Sequence, residues 1–296
     1  MASKIIAVPI DRELGPLIGK KGNETSMSFY NRKVGSDIIV AISPSDIEGK
    51  FYALPNTLIL AEQIVIDTSS VDPLFGEVLV AASLLGKRII FTKDGDISKL
   101  ISGLELPEHE FVERDNLLSA VESYRSKGND GSVKVEIDRC FNVKGVGTVL
   151  LGVVTRGVLR KHDKLLKPGK EVVVRSIQCQ DEDVESAELG SRVGIAAKGV
   201  TDDDVKKGDV LSTSLIPSRN AITIRARFSK VANEQAREGN QYQIFTGFNS
   251  CSCILEKIAG GMVSLKLDKE LQLEKGDTVM LGRTRAPRLF AAGTVE

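Results

Sequence analysis

The stretch V-E-I-D-R-C-F-N-V-K-G-V-G-T-V-L-L-G-V-V-T-R-G-V-L, residues 135–159, decides the architecture. Apolar side chains fall on alternate positions, Val135 and Ile137 and then Phe141 and Val143, which is the period of a strand half-buried in a sheet. Gly145-Val146-Gly147 supplies a tight turn, and Gly152 and Gly157 allow the sheet to bend sharply enough to close. Short strands then recur between Gly-Asp, Pro-Gly and Gly-Gly turns to the end of the chain, the pattern of β-barrels. A break at Ile216-Pro217-Ser218 divides this region into two barrels, 131–216 and 217–296.

Upstream the pattern changes to mixed strands and helices, which predicts an α/β domain over residues 1–128. Residues 4–10 read as a buried strand, and 26–33 with 37–42 as a hairpin around Val34-Gly35-Ser36. A helix is expected from about 46 to 61, kinked at Pro55. Strands at 63–68 and 87–92 flank a helix at 73–85 that Asp72 caps and Pro73 opens, a strand–helix–strand spacing that predicts parallel pairing. A short helix at 116–125 and a polar, glycine-rich linker at 126–131 end the domain.

Composition narrows the function classes. The 296 residues are 42% hydrophobic and 27% charged, ordinary values for a chain of two or three domains, and long enough to fold without disulfide or metal staples. Forty Lys and Arg offset forty Asp and Glu, so any RNA contact has to come from a local basic face. Cys140, Cys179, Cys251 and Cys253 include one C-x-C and no C-x-x-C, which reads as strand alternation and not as a zinc ribbon. His109 and His162 complete no metal cluster. No apolar run approaches 18 residues and no signal peptide is evident, so the expected address is the cytoplasm, away from membranes.

The opening stretch, together with H-D-K-L (162–165), V-R-S-I-Q (174–178), G-S-R-V-G-I-A-A-K-G-V (190–200) and K-K-G-D-V-L (206–211), resembles domain II of the translational GTPases of elongation factor Tu type. Within them it looks most like SelB, the selenocysteine-specific factor, in its archaeal and eukaryotic forms. A weaker resemblance to domain III continues over 222–295 through Q-I-F-T-G-F (243–248), L-E-K-G-D (273–277) and R-L-F-A-A-G (288–293). The resemblance implies a P-loop-NTPase-like α/β domain, here degenerate, followed by two antiparallel β-barrels. It also implies that the first barrel receives the aminoacylated end of tRNA. In SelB-like members an Asp-Arg pair on the first strand and an arginine on a later one surround the selenol; by motif these are Asp138, Arg139 and Arg192. Phe141, Lys198 and Asp209 complete the candidate pocket. A selenol ionises more readily than a thiol, so fixed guanidiniums would prefer it to neutral serine. The competing reading makes Arg139 and Arg192 ion-pairing residues of the barrel surface, with Asp138 as a partner.

The family's nucleotide motifs are altered. A P-loop, G-x-x-x-x-G-K-[ST], needs backbone amides around the phosphates, a neutralising lysine and a hydroxyl on magnesium. Here D-R-E-L-G-P-L-I-G-K-K-G (11–22) succeeds the first strand. It has one residue too few between Gly15 and Gly19, Lys21 where the hydroxyl belongs, and Pro16 in place of an amide donor. D-x-x-G occurs nearby only as Asp46-Ile47-Glu48-Gly49, several residues late, and Thr92-Lys93-Asp94-Gly95-Asp96 replaces N-K-x-D. GTP and magnesium are therefore expected to be absent as cofactors. Ile18-Gly19-Lys20-Lys21-Gly22 also matches the I-G-x-x-G clamp of KH domains. The strand character of 25–33 argues against that fold, yet Lys20 and Lys21 stand as candidates for RNA or phosphate contact.

The leading functional expectation is a translation protein of SelB or elongation factor Tu type. It lacks a working GTP site and any catalytic residue, and its barrels bind aminoacyl-tRNA, the ribosome or a protein partner in translation. The alternatives are a weak GTP-binding elongation factor that uses Lys20 or Lys21 on phosphate, and a protein-binding scaffold. The chain ends at Glu296, just after the domain III resemblance, so no counterpart of SelB's further C-terminal domain is expected.

Overall fold

Ile and Val runs place β1 (Ser3–Ala7), every residue of which is buried, at the middle of a seven-stranded sheet. The computed structural model describes residues 3–11, 13–35, 37–45, 51–124, 131–231 and 236–296. After β1 come α1 (Leu14–Ile18), β2 (Lys20–Glu24), β3 (Met27–Val34), β4 (Asp37–Pro44), α2 (Ala53–Leu60) and β5 (Gln63–Ile66). The domain continues with α3 (Pro73–Leu85), β6 (Arg88–Thr92), α4 (Ser98–Ile101), β7 (His109–Val112) and α5 (Leu117–Ser123). The sheet order is β2-β3-β4-β1-β5-β6-β7. β4, β1, β5, β6 and β7 run parallel, while β3 is antiparallel to both β4 and β2. Leu54 and Leu58 of α2 and Phe75 and Val78 of α3 cover one face, and Leu14 and Ile18 of α1 with Leu117 and Val121 of α5 cover the other. A parallel sheet buried on both faces needs such near-continuous apolar strands.

Helix α3 forms where its sequence signals place it. Asp72 accepts the Phe75 N–H at 2.7 Å, Pro73 occupies the first turn, and Gly86 at φ 68° ends it. The helix read at 46–61 begins among described residues only at Ala53, which puts Pro55 in the first turn, where no intrahelical N–H is lost and no kink results. Residues 46–50, which contain the D-x-x-G match, the linker stretch 126–130, Arg125 and Ser36 lie outside the described residues. The 26–33 and 37–42 hairpin is present as β3 and β4, with Val34 opposite Asp37.

The first barrel is built from β8 (Lys134–Val143), β9 (Gly147–Arg156), β10 (Val158–Arg160), β11 (Lys164–Lys167), β12 (Lys170–Cys179), β13 (Glu182–Val184), β14 (Ser186–Glu188), β15 (Arg192–Lys198) and β16 (Val210–Ser212). Six of these close in the order β11-β16-β8-β9-β15-β12 through the β11–β12 pairing. The second barrel closes as β17 (Ser218–Phe228), β20 (Met262–Gln272), β19 (Asn249–Ala259), β18 (Gln241–Thr246), β21 (Thr278–Gly282) and β22 (Leu289–Val295). Cys251 and Cys253, two apart on β19, both lie in its core.

One expectation about β8 is corrected. The alternation of Val135 and Ile137 does not continue to Phe141 and Val143, because the β8–β9 register shifts between Ile137 and Arg139. The bulge at Asp138 reverses the facing of the second half of the strand. Cys140 packs against the core, and Arg139 and Phe141 share the outer side.

The three units share one apolar cluster, from the sheet through Val135 and Ile137 of the first barrel to Phe245, Phe248 and Met280 of the second. Polar contacts add to it. Gln272 bridges both the N–H and the C=O of Val210, at 2.9 and 2.7 Å, and Ser3 and Ser191 hydroxyls meet at 2.9 Å. Arg288 donates to Glu77 at 3.0 Å with its guanidinium 3.6 Å from the centre of the Phe51 ring. No helix among the described residues is long and apolar enough to cross a membrane.

Candidate functional site

The β8 bulge and the start of β15 bring Asp138 and Arg192 together across β9. Arg192 Nη2 donates to Asp138 Oδ2 at 2.6 Å, and the aspartate side chain is fully buried. The α/β domain completes the cluster. Phe29 of β3 lies under the Arg192 guanidinium at 4.1 Å, Thr25 Oγ1 stands 3.4 Å from Asp138 Oδ1, and Lys207 Nζ donates to Ser26 Oγ at 2.6 Å while lying 3.5 Å from Asp138. Burial pulls the Arg192 pKa below the usual guanidinium value, and Asp138 opposes that pull.

A pocket of 170 Å³ opens beside this cluster, lined by Gly22, Phe29, Asn31, Gln178, Arg192 and Gly194 among others. Arg192 and Asn31 are among its lining residues, and their Nη1 and Oδ1 atoms are buried without a hydrogen-bond partner.

The remaining candidates are dispersed. Arg139 is exposed, 5.5 Å over the Phe141 ring on the outer face of β8, and does not line the pocket. Lys198 is exposed at the far end of β15. Asp209 accepts the Lys206 N–H at 2.8 Å and Lys167 Nζ at 2.5 Å, so it shapes the turn before β16. Phe29 and Asn31 escaped the sequence reading. Their signal was a polar residue at a core-facing strand position, two after Phe29, with no motif to announce it.

Where phosphates would sit in a P-loop, the chain is folded on itself. Gly15 N–H donates to Asp11 Oδ1 at 2.7 Å, and the Tyr30 hydroxyl donates to the other carboxylate oxygen. A Cβ on Gly15 would meet the Tyr30 ring at 2.4 Å, and one on Gly19 the Asn31 backbone at 2.7 Å, so both glycines serve close packing. Lys20 and Lys21 do not lie in a glycine-lysine loop. They belong to edge strand β2, opposite Asn31 and Tyr30, with Lys21 paired to Glu24 at 2.8 Å.

After β6, Arg114 bridges buried Asp67 at 2.5 Å and Asp94 at 2.9 Å. The Thr92 hydroxyl and Arg114 hold the Asp94 carboxyl below its usual range. Thr68 Oγ1 donates to the Thr92 carbonyl at 2.7 Å and accepts the Gly95 N–H at 2.9 Å. The altered 92–96 segment is thereby tied to its own sheet.

A larger cavity of 530 Å³ lies where all three units meet, at the opposite end of the parallel strands, lined by Lys87, Lys134, Glu136, Arg156, Gly247 and Asp277 among others. Lys134 Nζ is 2.5 Å from Asp277 and 3.9 Å from Glu136. Burial pushes the Glu136 carboxyl up to about 7 against the pull of Lys134.

Comparisons with known proteins agree with this architecture. Residues 147–212 match the family model described as elongation factor Tu domain 2. The uncharacterized protein MJ0325 of Methanocaldococcus jannaschii is 30% identical over 279 residues, covering 90% of this chain and 91% of that protein. The selenocysteine-specific elongation factor of the same organism is 38% identical over 103 residues, 34% of this chain and 22% of its own length. Elongation factor 1-alpha of Pyrobaculum calidifontis is 33% identical over 109 residues, 36% of this chain and 24% of its own length. The likeness to these named factors therefore spans about a quarter of their length. Among solved structures, the elongation factor SelB of Methanococcus maripaludis with a GTP analogue superposes with a TM-score of 0.82 at 17% identity, over 100% of this chain and 79% of that one. The bacterial selenocysteine-specific factor EF-Sec gives 0.80 at 19% identity, over 99% of this chain and 58% of its own; at such identities the likeness speaks for the fold. An α/β sheet followed by two closed six-stranded barrels, and a relative matched nearly end to end, together place the chain in one family with the M. jannaschii protein, within the translational GTPase superfamily of elongation factor Tu and SelB type.

Proposed function

We propose that this protein docks aminoacyl-tRNA, or another component of the translation apparatus, through its first barrel and does so without a nucleotide switch. The observation that supports the proposal is the fold of the segment after β1, which among the described residues forms α1 over Leu14–Ile18 and then β2 over Lys20–Glu24. The Gly15 amide is taken by Asp11 and the two lysines are set in β2, so among the described residues that amide and those lysines are not arranged as a phosphate cradle. The Arg114 bridge to Asp67 and Asp94 supports the same reading at the base-recognition end. In switch GTPases the γ-phosphate orders loops that grip a partner. Here Phe29, Thr25 and Ser26 already hold the α/β domain against the barrel by direct side-chain contact.

The exposed Arg139–Phe141 pair offers a cation and an aromatic face, a combination suited to the end of a single-stranded RNA. Lys198 on β15 and Lys20 and Lys21 on β2 are further basic candidates on other elements. Filter binding with aminoacylated and deacylated tRNA tests the proposal. The aminoacylated form is expected to bind more tightly, and Arg139→Ala should weaken it about tenfold, the order of one lost stacking or charge contact. Equal, salt-abolished binding of both forms counts against it. Titration with a fluorescent GTP analogue in magnesium should show no saturation, and micromolar saturation would overturn the switch-free reading.

A further inference from the structure

The seam between the two barrels holds an unequal set of charges. Lys134 and Glu136 are two apart on β8 and both face the junction, and Arg156, the last residue of β9, stands opposite Lys134. The second barrel answers with Glu274 and Asp277, from the turn before β21. Lys134 Nζ is 2.5 Å from Asp277 and 3.6 Å from Glu274, and Arg156 Nη1 is 2.9 Å from Glu274. Those contacts set two cations against two carboxylates. Glu136 adds a third carboxylate, 3.9 Å from the ammonium that Asp277 already holds.

The other charged groups around the junction are engaged elsewhere. Lys87 of the α/β domain donates to the carbonyls of Leu58, Ile59 and Ala61 at the end of α2, with the Glu62 carboxylate beside it. Lys275 is exposed and lies 3.6 Å from Glu296, and Tyr124 packs against Arg88. Glu136 is also the carboxyl with least room for water. Its side chain is 9% exposed, and its oxygens lie against Gly247 in the β18–β19 turn, where any Cβ would collide with them. An ionised group there leaves one charge out of water and out of balance, whereas the protonated acid is neutral.

We propose that Glu136 is a proton-controlled contact between the barrels: with its proton in place the seam is charge-balanced and closed on the Gly247 turn, and loss of the proton loosens that turn from the first barrel. This is independent of what the first barrel binds. A carboxyl that titrates higher in the closed seam than in water favours closure at low pH. That advantage fades as pH climbs from an ordinary glutamate value, about 4.3, to about 7.

Hydrogen exchange on the full-length protein, corrected for the intrinsic rate at each pH, tests the proposal. Protection of the amides at 246–248 and 276–278 should be about tenfold or more greater at pH 5 than at pH 8. In Glu136→Gln it should stay high at both. At pH 8 the added exchange should respond little to dilute urea, since a parted seam exposes far less surface than an unfolded chain. The Glu136 carboxyl resonance, followed by carbon-13 NMR in the unaltered protein, should titrate near 7, a reading that still decides the matter if Glu136→Gln does not fold. Equal seam protection at both pH values, a pH dependence that persists in Glu136→Gln, a urea response as steep as that of global unfolding, or titration at an ordinary glutamate value would each overturn it.

Discussion

Asp138 and Arg192 form a buried pair in which each side chain is the other's main ionic partner, and Lys207 contributes from 3.5 Å. Removing one member of such a pair strands a charge, which costs about 3–5 kcal/mol. Asp138→Ala and Arg192→Ala are each expected to lower the unfolding free energy, read from denaturant melts, by an amount in that range, and the double variant should lose much less than the sum. Additive losses in a double-mutant cycle would show that the two side chains act separately. The sequence announced both residues through the E-I-D-R-C-F and G-S-R-V-G motifs, but not their partners. Phe29, Thr25 and Ser26 come from another unit, more than a hundred residues earlier, and no local periodicity encodes contact across that separation. Gly19 makes a complementary case. As part of I-G-x-x-G it looked like a loop residue, whereas a Cβ there would lie 2.7 Å from the Asn31 backbone. Gly19→Ala should therefore cost about 1–3 kcal/mol by overpacking, read in a urea melt, while Lys20→Ala should leave stability unchanged.

At the scale of elements, α3 was the most legible segment because its cap, its proline and its glycine stop all lie within the chain's own local chemistry. Asp72→Ala should cost about 1 kcal/mol, the usual worth of an N-cap, detectable as a lower melting temperature. β2 was the least legible. K-K-G-N-E has no apolar alternation, and it forms a strand only because β3 offers a free edge. Exposed lysines suit such an edge, since they discourage a further strand from adding. The β8 bulge explains the misread alternation in the opening stretch. One additional residue at Asp138 separates the two halves of the strand, and a pattern read in one register cannot show where the register changes.

For the whole molecule, the junction cavity couples the barrels to pH. The Glu136 carboxyl is raised to about 7 in the fold by burial, while an unfolded glutamate titrates near about 4.3. Between these values the native state holds a proton that the unfolded chain has released, so this group's contribution to stability falls as pH rises through that window and stays lost above it. Glu136→Gln is expected to be more stable than the parent at pH 8, on the order of 1–3 kcal/mol, with the difference vanishing near pH 4. An advantage that does not change between these pH values would show that Glu136 does not titrate in that window. Lys134 keeps Asp277 in that variant, so no cation is stranded.

The apolar cluster that threads the sheet and both barrels has a calorimetric corollary. A molecule whose parts lean on shared side chains cannot lose one and keep the others intact, so heating should give a single sharp endotherm in place of three overlapping ones. It would then make an all-or-none target for a cell's proteolytic quality control, and no separately surviving barrel should accumulate as a degradation product.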